Sequence, residues 1–354
     1  MKLRPERLSV IVPTYQGARY LGDALESIAR NALQDTEVLV VDDGSTDGTV
    51  EVARAFESTL RLHTLVTPRR GNWMAMVNLG LAEATGASCC ILHQDDLWLP
   101  GRRRVPLTDI ASGRASMVCM QTAVIDAAGH ALGPWRFPRG VRPCMGRAVR
   151  EEVARSLYVQ NWLAVPSVTF GTRAAGECGG LDESLWYTAD WDLWLQLLHT
   201  GSAILMPQFG TAFRVHSSSQ TLQRSRNIEE FHAQLATVQR RHRWALDGQL
   251  AAPGLRRAGE LSTRTDAALA AGFHRQPHGY LRWLGSILAA GPRGIRVYLD
   301  NASLGDRLRP RVRLAVQGAL SGSSDTVPLS RARPDGGVRW ASRPEDTRRL
   351  GSRD

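Results

Sequence analysis

Four short runs near the N-terminus are mostly apolar, and each of the first three leads into a stretch with helical spacing. LSVIVP (Leu8–Pro13) leads to Tyr20–Asn31, where Leu21, Leu25 and Ile28 share one face. EVLVVD (Glu37–Asp42) leads to Thr49–Phe56, Leu60–Val66 leads to Met74–Thr85, and Ser88–His93 is the fourth run. A strand without polar alternation needs cover on both faces, and intervening helices supply it. The expected fold is therefore α/β, a doubly wound, mostly parallel sheet with helices on both faces. In such a sheet ligands bind beyond the carboxyl ends of the strands.

Those ends are polar. They read PTYQG, DDGSTDGT, TPRRGNW and HQDD. In the last of them Asp95 and Asp96 are adjacent, and two like charges side by side repel unless a cation or a polar ligand comes between them. Successive side chains of a strand face opposite ways. Unless the chain turns there, the two carboxylates face opposite ways. DDGSTDGT also invites comparison with a calcium loop starting at Asp43. A calcium loop requires a bidentate Glu at its twelfth position, and Arg54 stands there instead. The remaining reading is a strand-end carboxylate that accepts hydrogen bonds from a nucleobase or ribose.

Beyond residue 116 the pattern is mixed up to about 216. It becomes helical from about 228, and the last stretch, 321–354, has the composition of a disordered basic tail. No run approaches the roughly 18 apolar residues of a membrane span. MKLRPERLSVIVP lacks the apolar core of a secretory leader, which predicts a cytosolic protein. The five cysteines form no CxxC pair and are odd in number, so neither a zinc site nor a disulfide framework is expected. The net charge of +10 rests almost wholly on arginine, with Lys2 the single lysine. That charge suits phosphates of a nucleotide or a lipid headgroup. No helix-turn-helix, zinc or RNA-stacking motif speaks for nucleic acid.

Taken in order, SVIVPTYQGARYLGDALESI, VLVVDDGSTDGT, ILHQDDLWLPGR and GGLDESLWYTADWDLWLQL resemble a family 2 glycosyltransferase of the GT-A fold, over about residues 8 to 216. The resemblance implies a GT-A catalytic domain over 1–225. Its nucleotide-sugar half would span about 1–116 and its acceptor half about 117–225, with a helical C-terminal extension over 226–320. It implies that Pro13, Thr14, Tyr15 and Asp43 hold the nucleotide base. Asp95 is expected mainly at the ribose and Asp96 at a divalent cation, Mg²⁺ or Mn²⁺, on the diphosphate. The family's acidic motif begins with Asp where this chain has His93, which leaves His93 a sugar contact. Arg70, after the third strand, suits a nucleotide contact, and His216 completes the metal shell in some relatives.

The same resemblance makes Asp190 the base that takes the acceptor's proton, in a single displacement with inversion. The usual acidic partner before it is Ala189 here. Asp192 suits the first turn of a helix through the macrodipole. GGLDES resembles the acceptor-side loop, which brings in Gly180 and Asp182. Trp98 and Trp186 are candidates for stacking on sugar faces, whereas Trp191 and Trp194 are expected in the core.

The implied partners are a nucleotide-sugar donor, with UDP the expected nucleotide, and a glycan or lipid-linked acceptor of bacterial cell-surface polysaccharide synthesis. HGYLRWLGSILAAGPRGIRVYL (residues 278–299) leaves two readings open. One is an amphipathic segment docking peripherally on anionic membrane at the inner face of the cell membrane. The other is a helical subdomain packed on the catalytic domain. Two rival functions remain. A nucleotidyltransferase normally carries a Gly-rich, basic loop after the first strand, and PTYQGARY is not one. A non-catalytic sugar or nucleotide binding module predicts donor binding without turnover.

Overall fold

The computed structural model describes residues 3–144, 146–216, 224–247, 252–274, 276, 280–306 and 308–309. The expected tail at 321–354 lies outside the described residues. The first strands are β1 (Arg4–Thr14), β2 (Thr36–Asp42), β3 (Arg61–Val66) and β4 (Gly86–Ile91), with helices α1 (Ala18–Asn31), α2 (Thr49–Ala55) and α3 (Trp73–Glu83) between them. These strands are parallel and lie in the order β3-β2-β1-β4. The chain thus winds outward from β1 to β3 and returns to β4 on the other side. That reversal leaves a crevice between the carboxyl ends of β1 and β4.

The strand period decides which core each residue enters. Leu8, Val10 and Val12 join Leu21, Leu25 and Ile28 of α1 on one face. Ile11, between them in sequence, joins Met74 and Val77 of α3 on the other. Cys89 and Cys90 divide in the same way, one to each core. Burial pushes the Cys89 thiol up to about 12, so it is inert filler. Both faces being apolar, each buried Leu, Ile or Val side chain contributes about 1.5–3 kcal/mol.

Beyond β4 the register changes. β5 (Leu97–Trp98), β6 (Met117–Ile125), β7 (Ala131–Trp135), β8 (Val168–Gly171) and β9 (Ala203–Arg214) continue the same nine-stranded sheet. β8 runs antiparallel to β4 and β6, β7 antiparallel to β6, and β5 antiparallel to β9, while β9 is parallel to β6. The first four strands are parallel, as the mostly parallel sheet expected from sequence requires, and the second half is mixed. A tight turn causes part of this: Asp126 accepts the backbone N–H groups of Ala128 (2.9 Å) and His130 (2.8 Å) and reverses the chain between β6 and β7. Further helices are α4 (Leu107–Ala111), α5 (Glu151–Val159), α6 (Thr172–Glu177) and α7 (Ala189–Thr200). Trp191 and Trp194 of α7 are buried, as expected.

The C-terminal region is helical: α8 (Ile228–Arg241), α9 (Ala252–Phe273) and α10 (Tyr280–Asn301), the last broken at Gly291 and Pro292. It clasps α7 and the loop before it. Arg241 pairs with Asp182 at 2.7 Å, and Glu230 accepts the indole N–H of Trp186 at 2.8 Å. The buried Asp192 carboxylate lies 2.9 Å from His242 Nε2 and 3.5 Å from Arg241. Trp244 donates to His242 Nδ1 at 3.1 Å. An indole nitrogen only donates, so Nδ1 accepts and the ring hydrogen on Nε2 points to Asp192. Burial pushes the Asp192 carboxyl up, but the hydrogen bonds from His242 and Gln196 and the nearby Arg241 charge outweigh it and hold the carboxyl below the usual range. His242→Ala leaves a buried carboxylate oxygen with one distant cation. The expected cost is about 1–3 kcal/mol, seen as a lower urea midpoint at unchanged slope.

Candidate functional site

At the end of β1 the chain must leave the sheet without losing its hold on β4. Pro13 and Thr14 are still buried strand residues. The Thr14 hydroxyl donates to Asp42 at 2.8 Å, and its carbonyl accepts the N–H of Asp43 at 2.9 Å. Their side chains therefore build the turn and do not face a ligand, which corrects the expectation that they hold the base. Tyr15 is the residue that projects, with 37% of its surface exposed. The Gln94 side-chain amide grips its backbone, accepting from Tyr15 N at 2.9 Å and donating to Tyr15 O at 3.1 Å. Any side chain at Gly17 would overlap Gln94, which accounts for the glycine in PTYQG.

The DDGS turn splits its two carboxylates by role. Asp42 is fully buried and accepts from the backbone (2.7 Å) and hydroxyl (2.6 Å) of Ser45, so it is structural. Asp43 accepts the backbone N–H groups of Arg70 (2.5 Å) and Gly71 (2.8 Å) and pairs with the Arg69 guanidinium. The same guanidinium lies 3.4 Å from the centroid of the Tyr15 ring. Tyr15, Arg69 and Asp43 thus form one stacked, charged cluster beside the crevice. Arg70, the expected nucleotide contact, takes part through its backbone, while Arg69 supplies the cation.

The third wall is HQDD. β4 ends at Ile91, and a turn closed by Asp96 N to His93 O at 3.1 Å carries the acidic pair. Strand alternation therefore does not separate Asp95 from Asp96. Separation comes from depth. Asp96 is 1% exposed; one of its oxygens accepts the N–H of Arg214 at 2.9 Å, and the other is buried without a hydrogen-bond partner. Asp95 is shallower, and its Oδ2 lies 2.7 Å from His216 Nε2. His216 is thus the neighbour of Asp95, not of Asp96. Burial, then the adjacent Asp95 charge, drive the Asp96 carboxyl well above the usual range. For Asp95 the hydrogen bond from His216 and the charges of His93 and His216 outweigh burial, and the carboxyl is lowered. His93 lies 3.8 Å from the free oxygen of Asp96, edge-on to Trp73, and burial lowers its pKa.

One buried cation organises this turn. Arg214, at the end of β9, donates to the carbonyls of Asp95 (2.7 Å), Asp126 (3.4 Å) and Ala127 (3.1 Å), and reaches Asp23 at 3.4 Å. Two residues on, His216 packs on Tyr20.

Asp190 sits in the first turn of α7, buried. Asn161, on the chain after α5, donates its amide to Asp190 Oδ2 at 2.9 Å. Burial raises the Asp190 carboxyl to about 6, against the opposing pull of the Trp191 N–H and Asn161. Ala189 beside it is fully buried, so a carboxylate in its place would need its own partner. The loop before α7 is stitched to α3. Asn78 donates to the Leu181 carbonyl at 2.9 Å and accepts from its N–H at 2.9 Å, and Asn72 donates to the Glu183 carbonyl at 3.2 Å. Trp73, next to Asn72, touches His93. This links Asp190's loop to the carboxylate turn.

Other expected contacts fall elsewhere. Trp98 is 2% exposed, with Arg102 over its ring, in the core against α1, so it offers no face to a sugar. Trp186 is buried against Tyr187 and Phe231, and its N–H is taken by Glu230. It anchors the helical region and does not present a stacking platform. Asp182 is held by Ser184 and Arg241 below the usual carboxylate range and serves as a strut. Gly180 adopts φ +75°, where a side chain would also overlap Asn78; its role is the turn. Gln94, Asn161 and Arg214 are the members that sequence reasoning did not place, whereas Arg69 was expected with Arg70 near a diphosphate or base. Among the described residues no three His, Cys, Asp or Glu side chains converge on one point.

Comparison with known proteins gives the chain's relatives. The model of glycosyl transferase family 2 matches residues 9–161. An uncharacterized glycosyltransferase of Rickettsia typhi is 26% identical over 235 residues, 64% of this chain and 69% of that protein. Validoxylamine A glucosyltransferase of Streptomyces hygroscopicus subsp. jinggangensis is 42% identical over 82 residues, 23% of this chain and 19% of that protein. Among solved structures, S. aureus TarS 1–349 in complex with UDP-GlcNAc superposes with a TM-score of 0.58 at 15% identity, covering 91% of this chain and 94% of that one. The mannosyltransferase PcManGT from Pyrobaculum calidifontis, in complex with GDP-Man and Mn²⁺, gives 0.52 at 22% identity, over 90% and 88%. The sheet, its strand-end motifs and these matches make the chain a glycosyltransferase, with the family 2 model matching its residues 9–161.

Proposed function

We propose that the protein transfers a sugar, with inversion, from a nucleotide diphosphate-sugar to a hydroxyl of a glycan or lipid-linked acceptor. The observation that carries this reading is the ring of strand-end groups around the β1/β4 crevice: Tyr15, Arg69 and Asp43 on one side, Asp95 and His216 on the other. An aromatic ring, a guanidinium and a carboxylate acceptor suit a nucleobase, which offers a π face and N–H donors. UDP-GlcNAc in TarS and GDP-Man in PcManGT support a donor of this class, and UDP is the nucleotide first tested.

The acidic turn fits a divalent cation. Asp95 and His216 place an oxygen and a nitrogen donor 2.7 Å apart, and Asp96 keeps a buried oxygen without a partner. Asp95 and His216 would hold the ion, with diphosphate and water completing the shell. Asp96, assigned to the metal from sequence, stands behind them, one oxygen held by the Arg214 N–H. A mixed imidazole and carboxylate set suits Mn²⁺ better than Mg²⁺, which favours oxygen alone. Bound there, the ion neutralises charge on the departing diphosphate.

The chain's own chemistry is proton removal. Asp190 accepts the proton of the attacking hydroxyl as the new bond to the anomeric carbon forms and the bond to the diphosphate breaks. A carboxyl near 6 is a better base for this than one near 4, and it is still ionised at neutral pH. The setting we propose is bacterial cell-surface polysaccharide assembly at the cytoplasmic face of the membrane, with residues 1–225 as the catalytic domain.

In a thermal-shift series of UDP, GDP, dTDP and CDP, one diphosphate raises the melting temperature, and does so only with Mn²⁺. Asp95→Asn and His216→Ala remove the metal-dependent part, and Asp190→Asn leaves it in place. If no diphosphate shifts the transition at millimolar concentration, the donor site is not where it is placed here. Asp190→Asn lowers kcat by about 10²–10⁴-fold, measured by release of nucleoside diphosphate. If the variant turns over like the wild type, Asp190 is not the base. Because the base acts deprotonated, kcat/KM falls as pH drops through about 6. Asn161→Ala deletes a hydrogen bond that favours the ionised form, so the acid limb moves to higher pH. A limb that stays in place shows that Asn161 does not tune the base.

A further inference from the structure

The first half of α10 carries apolar side chains on two neighbouring faces. Trp283, Ile287 and Ala290 face the helical core, with Ala290 buried and the other two packed against its cluster. Leu281, Leu284 and Leu288 follow the i, i+3, i+7 spacing of one stripe, and they are 85%, 49% and 82% exposed. A helix that is apolar all round is normally covered all round. Here one face meets the protein and the other meets nothing among the described residues. No helix of the described chain is long and apolar enough to cross a membrane, so spanning is not the explanation.

What covers the stripe must tolerate its surroundings. Past the break at Gly291 and Pro292 the chain exposes Arg293 and Arg296. Arg257 of α9, also exposed, adjoins Gly294 between them. Asp300, 3.9 Å from Arg296, offsets one of these charges only in part. The whole chain carries +10. A second copy seated on the stripe would bring these arginines against their own kind. A bilayer with anionic headgroups meets both needs, since its acyl boundary takes leucine side chains and its phosphates take guanidinium groups.

We infer that the face of Leu281, Leu284 and Leu288, flanked by Arg293 and Arg296, docks the protein on an anionic lipid surface. The inference goes beyond the transferase reading and does not depend on it, because the docking is read without donor or acceptor. The leucines enter the headgroup boundary along one side of the helix, and the arginines supply attraction that salt screens.

The test is flotation of the full-length protein with vesicles of phosphatidylcholine alone and of phosphatidylcholine with phosphatidylglycerol. The protein floats with the anionic vesicles, not with the neutral ones, and less so in high salt. Leu281→Ser, Leu284→Ser and Leu288→Ser combined weaken binding by about tenfold or more. They leave the melting temperature unchanged, because the stripe is exposed. Arg293→Gln with Arg296→Gln weakens binding to anionic vesicles at low salt and abolishes most of the salt dependence. Failure of the wild type to float, or full binding by the triple serine variant, overturns the proposal. So does a concentration-dependent dimer in sedimentation that the triple variant abolishes, since a second copy then covers the face.

Discussion

The buried guanidinium of Arg214 holds the carboxylate turn in place, and much of the site depends on it. Two adjacent aspartates at the mouth of a sheet would repel and splay. Here Arg214 fixes the turn through the Asp95 carbonyl and, through its own backbone N–H, one oxygen of Asp96. The same side chain ties in the β6–β7 turn by way of Asp126 and Ala127. A buried cation costs desolvation, and it is tolerated where hydrogen bonds and a nearby charge surround it. The arrangement also sets His216. Two residues beyond Arg214, it is delivered to Asp95 across 121 positions of sequence.

The sheet explains why these distant pieces meet. β5 is only Leu97 and Trp98, but it pairs antiparallel with Ala212 and Thr211 of β9. That ladder brings Asp96 within reach of the Arg214 backbone N–H. On the other side, Gln94 reaches back to Tyr15 and ties the end of β4 to the end of β1. The HQDD turn is thus pinned at both edges by backbone pairing and side-chain amides. A site held this way needs little reorganisation when a charged ligand arrives, which is what electrostatic stabilisation requires.

The parallel half was legible because its signal is local. Apolar runs of strand length separated by helical spacing admit one arrangement, and the polar residues at strand ends mark the binding edge. Asp95 and Asp96 stood out in this way, while Tyr15, Asp43 and His216 were expected contacts only through the family resemblance. Pairing and depth were not legible. Whether Arg69 or Arg70 meets Asp43 turns on the backbone path through Gly71, which has φ +72°. Residue type made Trp98 and Trp186 look like sugar platforms, yet both are spent on packing. Asn161 stands in a stretch with no periodicity, and only the fold brings it to Asp190 across 29 positions.

The replacement of an acidic residue by Ala189 becomes intelligible at this level. A carboxyl can be raised toward neutral pH by a like charge beside it or by loss of water around it. With Ala189 buried and apolar, Asp190 depends on the second route: burial raises it to about 6, and Asn161 keeps the rise from going further. Burial alone would favour the protonated form at the pH where a base is needed. The amide therefore does two things at once. It orients Oδ2, and it holds part of the carboxylate ionised without adding a charge that would have to be buried in turn. For the proposed donor site, a neutral hydrogen-bond donor adds no further negative charge beside the carboxylates already gathered at Asp95 and Asp96.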